Sequence, residues 1–131
     1  MPIETITPAV LFKTAAFLNA ITIPGHLVFG LDTVHPGLNT METKTRKGKV
    51  AKASAQACFN YINGALLTAA LLNWQWARTA GPKTREEIII FWTLVINGFI
   101  DGLTYFRAGE YGPLGFAWVA PGLSVAAKYL L

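Results

Sequence analysis

Charge-free stretches divide the chain. Residues 14–31, 53–77, 88–100 and 111–127 contain no Asp, Glu, Lys or Arg, and apolar side chains dominate each of them. An α-helix rises about 1.5 Å per residue, so about 20 residues cross a hydrocarbon core of roughly 30 Å. Four such stretches in succession, with little charged surface between them, are hard to solvate in water. The pattern predicts an all-α fold: a four-helix transmembrane bundle forming one domain over residues 1–131. Its helices fall at approximately 8–35, 50–77, 85–107 and 113–131.

Helix punctuation supports these bounds. Thr7-Pro8 supplies a cap followed by Pro at the first helical position. Pro24-Gly25 predicts a bend within the first helix, and Pro121-Gly122 predicts one within the last. Residues 37–49 read as a polar connection, and Ala80-Gly81-Pro82 stops the second helix. Thr84 and Glu87 have capping-box spacing at the start of the third. The first 12 residues contain Glu4 and no Lys or Arg, so the basic region of a cleavable signal is missing and the first helix is expected to be retained. Neither an internal repeat nor a low-complexity tail is apparent.

Composition agrees with the membrane reading. Hydrophobic residues make up 53% and charged residues only 14%, against about 25% charged in an ordinary soluble domain. With 7 Pro, 12 Gly and 1 Cys, disordered, collagen-like and disulfide-scaffold chains are excluded. Lys44, Arg46, Lys47, Lys49, Lys52 and Arg107 gather on the side of the first and third connections, which predicts that the first connection is cytosolic. These cations read as a topology signal with affinity for anionic membrane lipids, and no nucleic-acid partner is expected. The expected location is integral and multi-pass, in the endoplasmic reticulum or another endomembrane.

The polar residues inside the spans carry the candidate chemistry, since ionisable groups are costly there. Asp101 is the clearest, with Asn97 four residues before it and Tyr105 four after, all on one helical stripe. Gln56, Asn60 and Asn63 share a face of the second helix, while His26, Asp32 and His35 lie toward the end of the first. Antiparallel topology collects these groups in one half of the bundle, with Phe116 and Trp118 as an apolar pocket wall. Trp74 and Trp76, at the other end, suit an interfacial belt. Amides in spans also serve simply as interhelical glue, and Gly98-x-x-x-Gly102 has the spacing of a close helix contact that would also support a homo-oligomer.

Several chemistries are set aside. There is no HExxH, CxxC or glycine-rich phosphate loop. Two His and one Cys do not make a soft-metal site, the spacing of His26, Asp32, His35 and Glu42 is not diagnostic of a metal, and nine residues on one helix disfavours His26 and His35 as haem ligands. No metal and no cofactor is expected. Acid–base work fits best: burial raises a carboxyl pKa, so one of Asp101 and Asp32 could donate a proton while the other accepts one. Asp101, Asp32, His35 and Tyr105 are the candidate catalytic residues. Asn60, Asn63, His26 and Asn97 are candidates to position substrate or water.

In size and layout, with His26, Asp32-x-x-His35, Asn60-x-x-Asn63 and Asp101-x-x-x-Tyr105, the chain resembles the short multi-pass membrane proteins of fungal polyketide and terpenoid pathways. That resemblance implies epoxide hydrolysis, cyclisation or isomerisation of a lipophilic small-molecule substrate. It assigns no role residue by residue. The contrasting expectation is a non-catalytic membrane protein, either a lipophilic-ligand binder or an accessory subunit of a larger complex. A proton-coupled transporter would require oligomerisation. Convergence of Asp101, Asp32 and Asn60 on one pocket separates the enzyme from the others.

Overall fold

The computed structural model describes residues 6–131, so the expectation built on Glu4 and its neighbours lies outside the described residues. The described chain is all-helical, with no strand among the described residues. Four helical rods follow one another. Helix α1 (Pro8–Asn39) comprises α-helical Pro8–Phe29, a π-helical turn at Gly30–Val34 and a further α-helical turn at His35–Asn39. Helix α2 is Arg46–Thr79, and helix α3 is Arg85–Arg107. Helix α4 (residues 115–129) begins with a second π-helical turn, Gly115–Val119, and continues as Ala120–Tyr129.

The caps read from sequence form. The Thr7 side chain accepts from the Val10 amide with Pro8 in the first turn. Thr84 accepts from the Glu87 amide at 3.1 Å, and the Glu87 carboxylate accepts from the Thr84 amide at 3.0 Å. Helix α2 starts four residues earlier than expected, because Thr45 accepts from the Gly48 amide and draws the basic run into the first turn. Ala80 ends α2 in the left-handed region at φ 54°.

The predicted interruption of α1 is displaced. The α-helix continues through Pro24, and the departure comes at Gly30–Val34, after which α1 runs through Pro36 to Asn39. The two π turns share a sequence, Gly-x-x-x-Val-x-Pro-Gly-Leu, at residues 30–38 and 115–123. In each, the amide just before the proline reaches back five residues: His35 to the Gly30 carbonyl, and Ala120 to the Gly115 carbonyl. A proline cannot donate to the carbonyl four residues earlier, and its ring crowds that group. Widening the preceding turn makes room for the ring, as π-bulges commonly do within α-helices.

Helix α1 is the centre of the packing, with α2 along one side and α4 along another, while α3 rests on α4. At the end holding the α2–α3 connection, Phe12, Trp76, Phe91 and Ala127 form a buried cluster. Trp76 stands edge-on to Phe91 at 5.5 Å. Of the two tryptophans expected at an interface, Trp76 is therefore core and only Trp74 is exposed. Side-chain volume decides this: Trp76 is the largest fully buried side chain and fills the gap between α1 and α3.

The Gly98/Gly102 face is used within the chain. A Cβ added to Gly98 would lie 2.6 Å from the Ala117 carbonyl oxygen, and one added to Gly102 would collide with the Trp118 indole. These glycines let α3 approach the π turn of α4, so their spacing is spent on an internal helix contact. Helices α1 and α3 are long and apolar enough to cross a membrane. The longer α2 is diluted by its amides and basic first turns, and α4 measures only about 22 Å at the standard rise. Large apolar side chains nonetheless remain exposed on all four, among them Phe17, Leu71, Phe99 and Val119.

Candidate functional site

Phe59 of α2 organises the polar end of the bundle. His26 stacks on its ring at 3.9 Å with planes 19° apart, and His35 meets it edge-on at 5.8 Å. Nine steps of regular α-helix turn through about 900°, placing two residues on opposite faces. The π turn at Gly30–Val34 absorbs roughly one residue, so the separation becomes about 80°. Both imidazoles thereby reach one ring. Gly30 is needed as well, since any Cβ there would meet Phe59 Cε1 at 2.6 Å.

Amides from α2 fix the imidazoles. His26 Nδ1 pairs with Asn63 Oδ1 at 3.1 Å, and His35 Nδ1 with Gln56 Oε1 at 2.9 Å. Gln56 in turn donates to Asn60 Oδ1 at 3.2 Å. The shared face of Gln56, Asn60 and Asn63 is thus a docking strip for the histidines of α1. His26 is only 5% exposed, and its Nε2 is buried without a hydrogen-bond partner.

Two cavities flank this strip. The first, about 290 Å³, lies between α1 and the α3–α4 connection, bordered by Thr22, His26, Phe29, Tyr105, Glu110 and Phe116 among others. Tyr105 and Phe116 stand edge to face across 6.4 Å. The second, about 190 Å³, is a cleft where α2 and α3 diverge beyond the Trp76–Phe91 contact. Asn19, Asn73 and Ser124 are buried beside it, and Asn97 and Asp101 line it from α3. Ser124 donates to Asn73 Oδ1 at 2.7 Å, while the Asn73 amide donates to the Ala69 carbonyl at 2.9 Å.

The predicted residues therefore separate into groups. His26, Tyr105 and Phe116 share the first cavity, and Asn63 holds His26 from behind. Asn97 and Asp101 share the second, where Phe116 again forms wall. His35 and Asn60 belong to the amide strip and border neither cavity. Asp32 is exposed on the π turn and borders neither. Trp118 lies instead over Gly102 and donates to the Phe99 carbonyl at 3.3 Å. Asp101, Asp32 and Asn60 do not converge on one pocket. Among the described residues, no three His, Cys, Asp or Glu side chains gather as a metal site would require.

Three participants escaped the sequence reading. Phe59 sits between Gln56 and Asn60, a position that could have flagged it as part of the same face. Glu110, outside the candidate site residues, borders the first cavity. The Asn73–Ser124 pair joins residues 51 apart in sequence, for which no local signal exists. No family model matches the chain, and no curated protein or solved structure matches it.

Proposed function

We propose that this is a multi-pass membrane protein that holds a lipophilic small molecule in the cavity between α1 and the α3–α4 connection. Helices α1 and α3 cross the bilayer, with α2 and α4 completing a four-helix bundle beside them. The connection between α1 and α2 faces the cytosol, in the endoplasmic reticulum or another endomembrane, where its cations contact anionic membrane lipids. The observation that carries the reading is the cavity of about 290 Å³ itself, where His26, Tyr105 and Glu110 share the lining with Phe29 and Phe116. A pocket walled by apolar and aromatic side chains with a few convergent polar groups is the usual form of a small-molecule site.

Convergence of an imidazole, a phenol and a carboxyl group on that cavity favours a second, catalytic reading. There, Glu110 takes a proton from a substrate hydroxyl as that oxygen bonds to an epoxide carbon, and Tyr105 protonates the oxygen freed when the epoxide C–O bond breaks. This moves the chemistry from the Asp101–Asp32 pair to Glu110 and Tyr105, in the reaction class that the resemblance to the fungal pathway proteins implies. Native mass spectrometry of wild type and Phe116→Trp in mild detergent, after exposure to a lipophilic extract, tests both readings. Retained small molecules that are lost on filling the cavity support binding, and altered molecules support catalysis. Equal retention by both proteins refutes the cavity as the site.

A further inference from the structure

We propose that the cleft between α2 and α3 is a second site, independent of the cavity beside His26, and that it takes the head of a lipophilic primary amine. Asn19 points to it: only 6% exposed, it borders this cleft and not the other cavity. Its Nδ2 donates to the Ala15 carbonyl at 2.8 Å, so Oδ1 lies on the other branch of the amide, left to accept. Oδ1 accepts no hydrogen bond, yet it is not sealed. Among the described residues, His26 Nε2 and Trp76 Nε1 are the buried side-chain atoms with neither a partner nor accessible surface. The open surface of Asn19 Oδ1 therefore gives onto the cleft that Asn19 lines. Asn73 and Ser124 beside it are occupied with one another.

Asp101 supplies the charge. It lines the same cleft with Asn97, and no Lys, Arg or His stands among the described residues lining it. Its carboxylate faces a space walled by Ile62, Leu66, Leu94, Val95 and Phe116. An unpaired charge among apolar walls is costly, so the counter-charge comes from what enters. Phe12 and Phe91 share the end cluster, and α1 and α3 both lead away from it. Asn19 is seven residues beyond Phe12 and Asn97 six beyond Phe91, so both stand about 10 Å along the bundle, with Asp101 one turn further. A donor cation seated between these levels meets the carboxylate on one side and Asn19 Oδ1 on the other. An ammonium group supplies charge and N–H donors together. An alcohol lacks the charge, a quaternary ammonium lacks the N–H, and a carboxylate repels Asp101. At about 190 Å³ the cleft is smaller than the roughly 300–1,000 Å³ of sites that enclose a whole ligand. It takes the head and the first carbons, and the tail leaves through the gap between α2 and α3.

The test uses four probes with one twelve-carbon tail: the primary amine, its trimethylammonium analogue, the alcohol and the carboxylic acid. Binding to the full chain in lipid nanodiscs is corrected for partition into empty nanodiscs, with side-chain amide NMR of ¹⁵N-asparagine as the second readout. The amine is expected to bind about tenfold tighter than the alcohol or the trimethylammonium probe, and to shift the Asn19 amide signals. Asp101→Asn should abolish the preference over the alcohol, and Asn19→Leu the preference over the trimethylammonium probe. Asp101 is exposed, so its variant reads out even where Asn19→Leu fails to fold. Ala65, also exposed, borders this cleft and not the first cavity, so Ala65→Phe should weaken the amine about tenfold while leaving that cavity alone. If amine and alcohol bind alike, or if Asp101→Asn keeps the preference, the assignment is overturned. Equal binding of the trimethylammonium probe removes the hydrogen bond to Asn19 and overturns it likewise. If no probe binds, or if Ala65→Phe changes nothing, the cleft is not an amine site.

Discussion

Gly98→Ala probes the contact that sets α3 on α4. The new Cβ would stand 2.6 Å from the Ala117 carbonyl oxygen and 3.3 Å from Pro121 Cγ. Carbon and carbonyl oxygen normally approach no closer than about 3.3 Å, so the two helices must part by roughly 0.7 Å. The obstacle is backbone within a π turn followed by proline, and no rotamer change can move it aside. Overpacking of this kind costs about 1–3 kcal/mol. Alanine's better helix propensity returns up to about 1 kcal/mol, so net destabilisation of about 1–2 kcal/mol is expected. Gly64→Ala is the matched control: it is helical and exposed, with nothing within 4 Å of the added carbon. There the propensity gain stands alone, and stability should rise by about 0.5–1 kcal/mol. Reversible unfolding of both variants in mixed micelles measures the difference. If Gly98→Ala stabilises as much as Gly64→Ala, α3 does not ride on the Ala117 carbonyl and the packing argument is wrong.

Other perturbations address other parts of the bundle. Ser124→Ala removes the donor to Asn73 Oδ1 and should cost about 1–2 kcal/mol, whereas the double change with Asn73→Leu should recover most of it; a cycle with no coupling would refute the pair. Phe59→Ala removes the ring that both histidines contact and should cost about 3 kcal/mol by thermal melting, with His26 and His35 ring resonances losing their ring-current shifts. Thr84→Ala breaks one arm of the capping box and should cost about 1 kcal/mol, while Thr84→Ser should retain stability.

The legible part of this fold is the part written locally. Thr7-Pro8 and Thr84 with Glu87 name their own helix ends, because a cap needs only residues three apart. Charge-free stretches locate the rods, and antiparallel order is enough to bring His26 toward Asn63. Helical spacing also put Asn97 and Asp101 in one cleft. Spacing failed for Tyr105, one turn beyond Asp101, because Phe116 walls both cavities and leaves the two side chains in different ones. It failed for His26 and His35 for another reason. Periodicity assumes 3.6 residues in every turn, and one residue absorbed in a π turn resets the phase. The proline at residue 36 was visible, but it read as the end of a helix. Its kinship with the segment before Pro121 emerges only when the two nonapeptides are set side by side.

Both of those nonapeptides lie at the same end of the molecule, with the π turn of α4 packed against α1. Each interrupts the amide ladder of its helix at a proline. The far end has the Phe12–Trp76–Phe91 cluster and unbroken α-helical turns. Stiffness is therefore graded along the bundle. The cluster acts as a clamped root, while the histidine end resembles the free tips of a tuning fork, where small rotations about two wide turns change the gap between α1 and α4. Such spreading of the tips leaves undisturbed the root that keeps the chain folded.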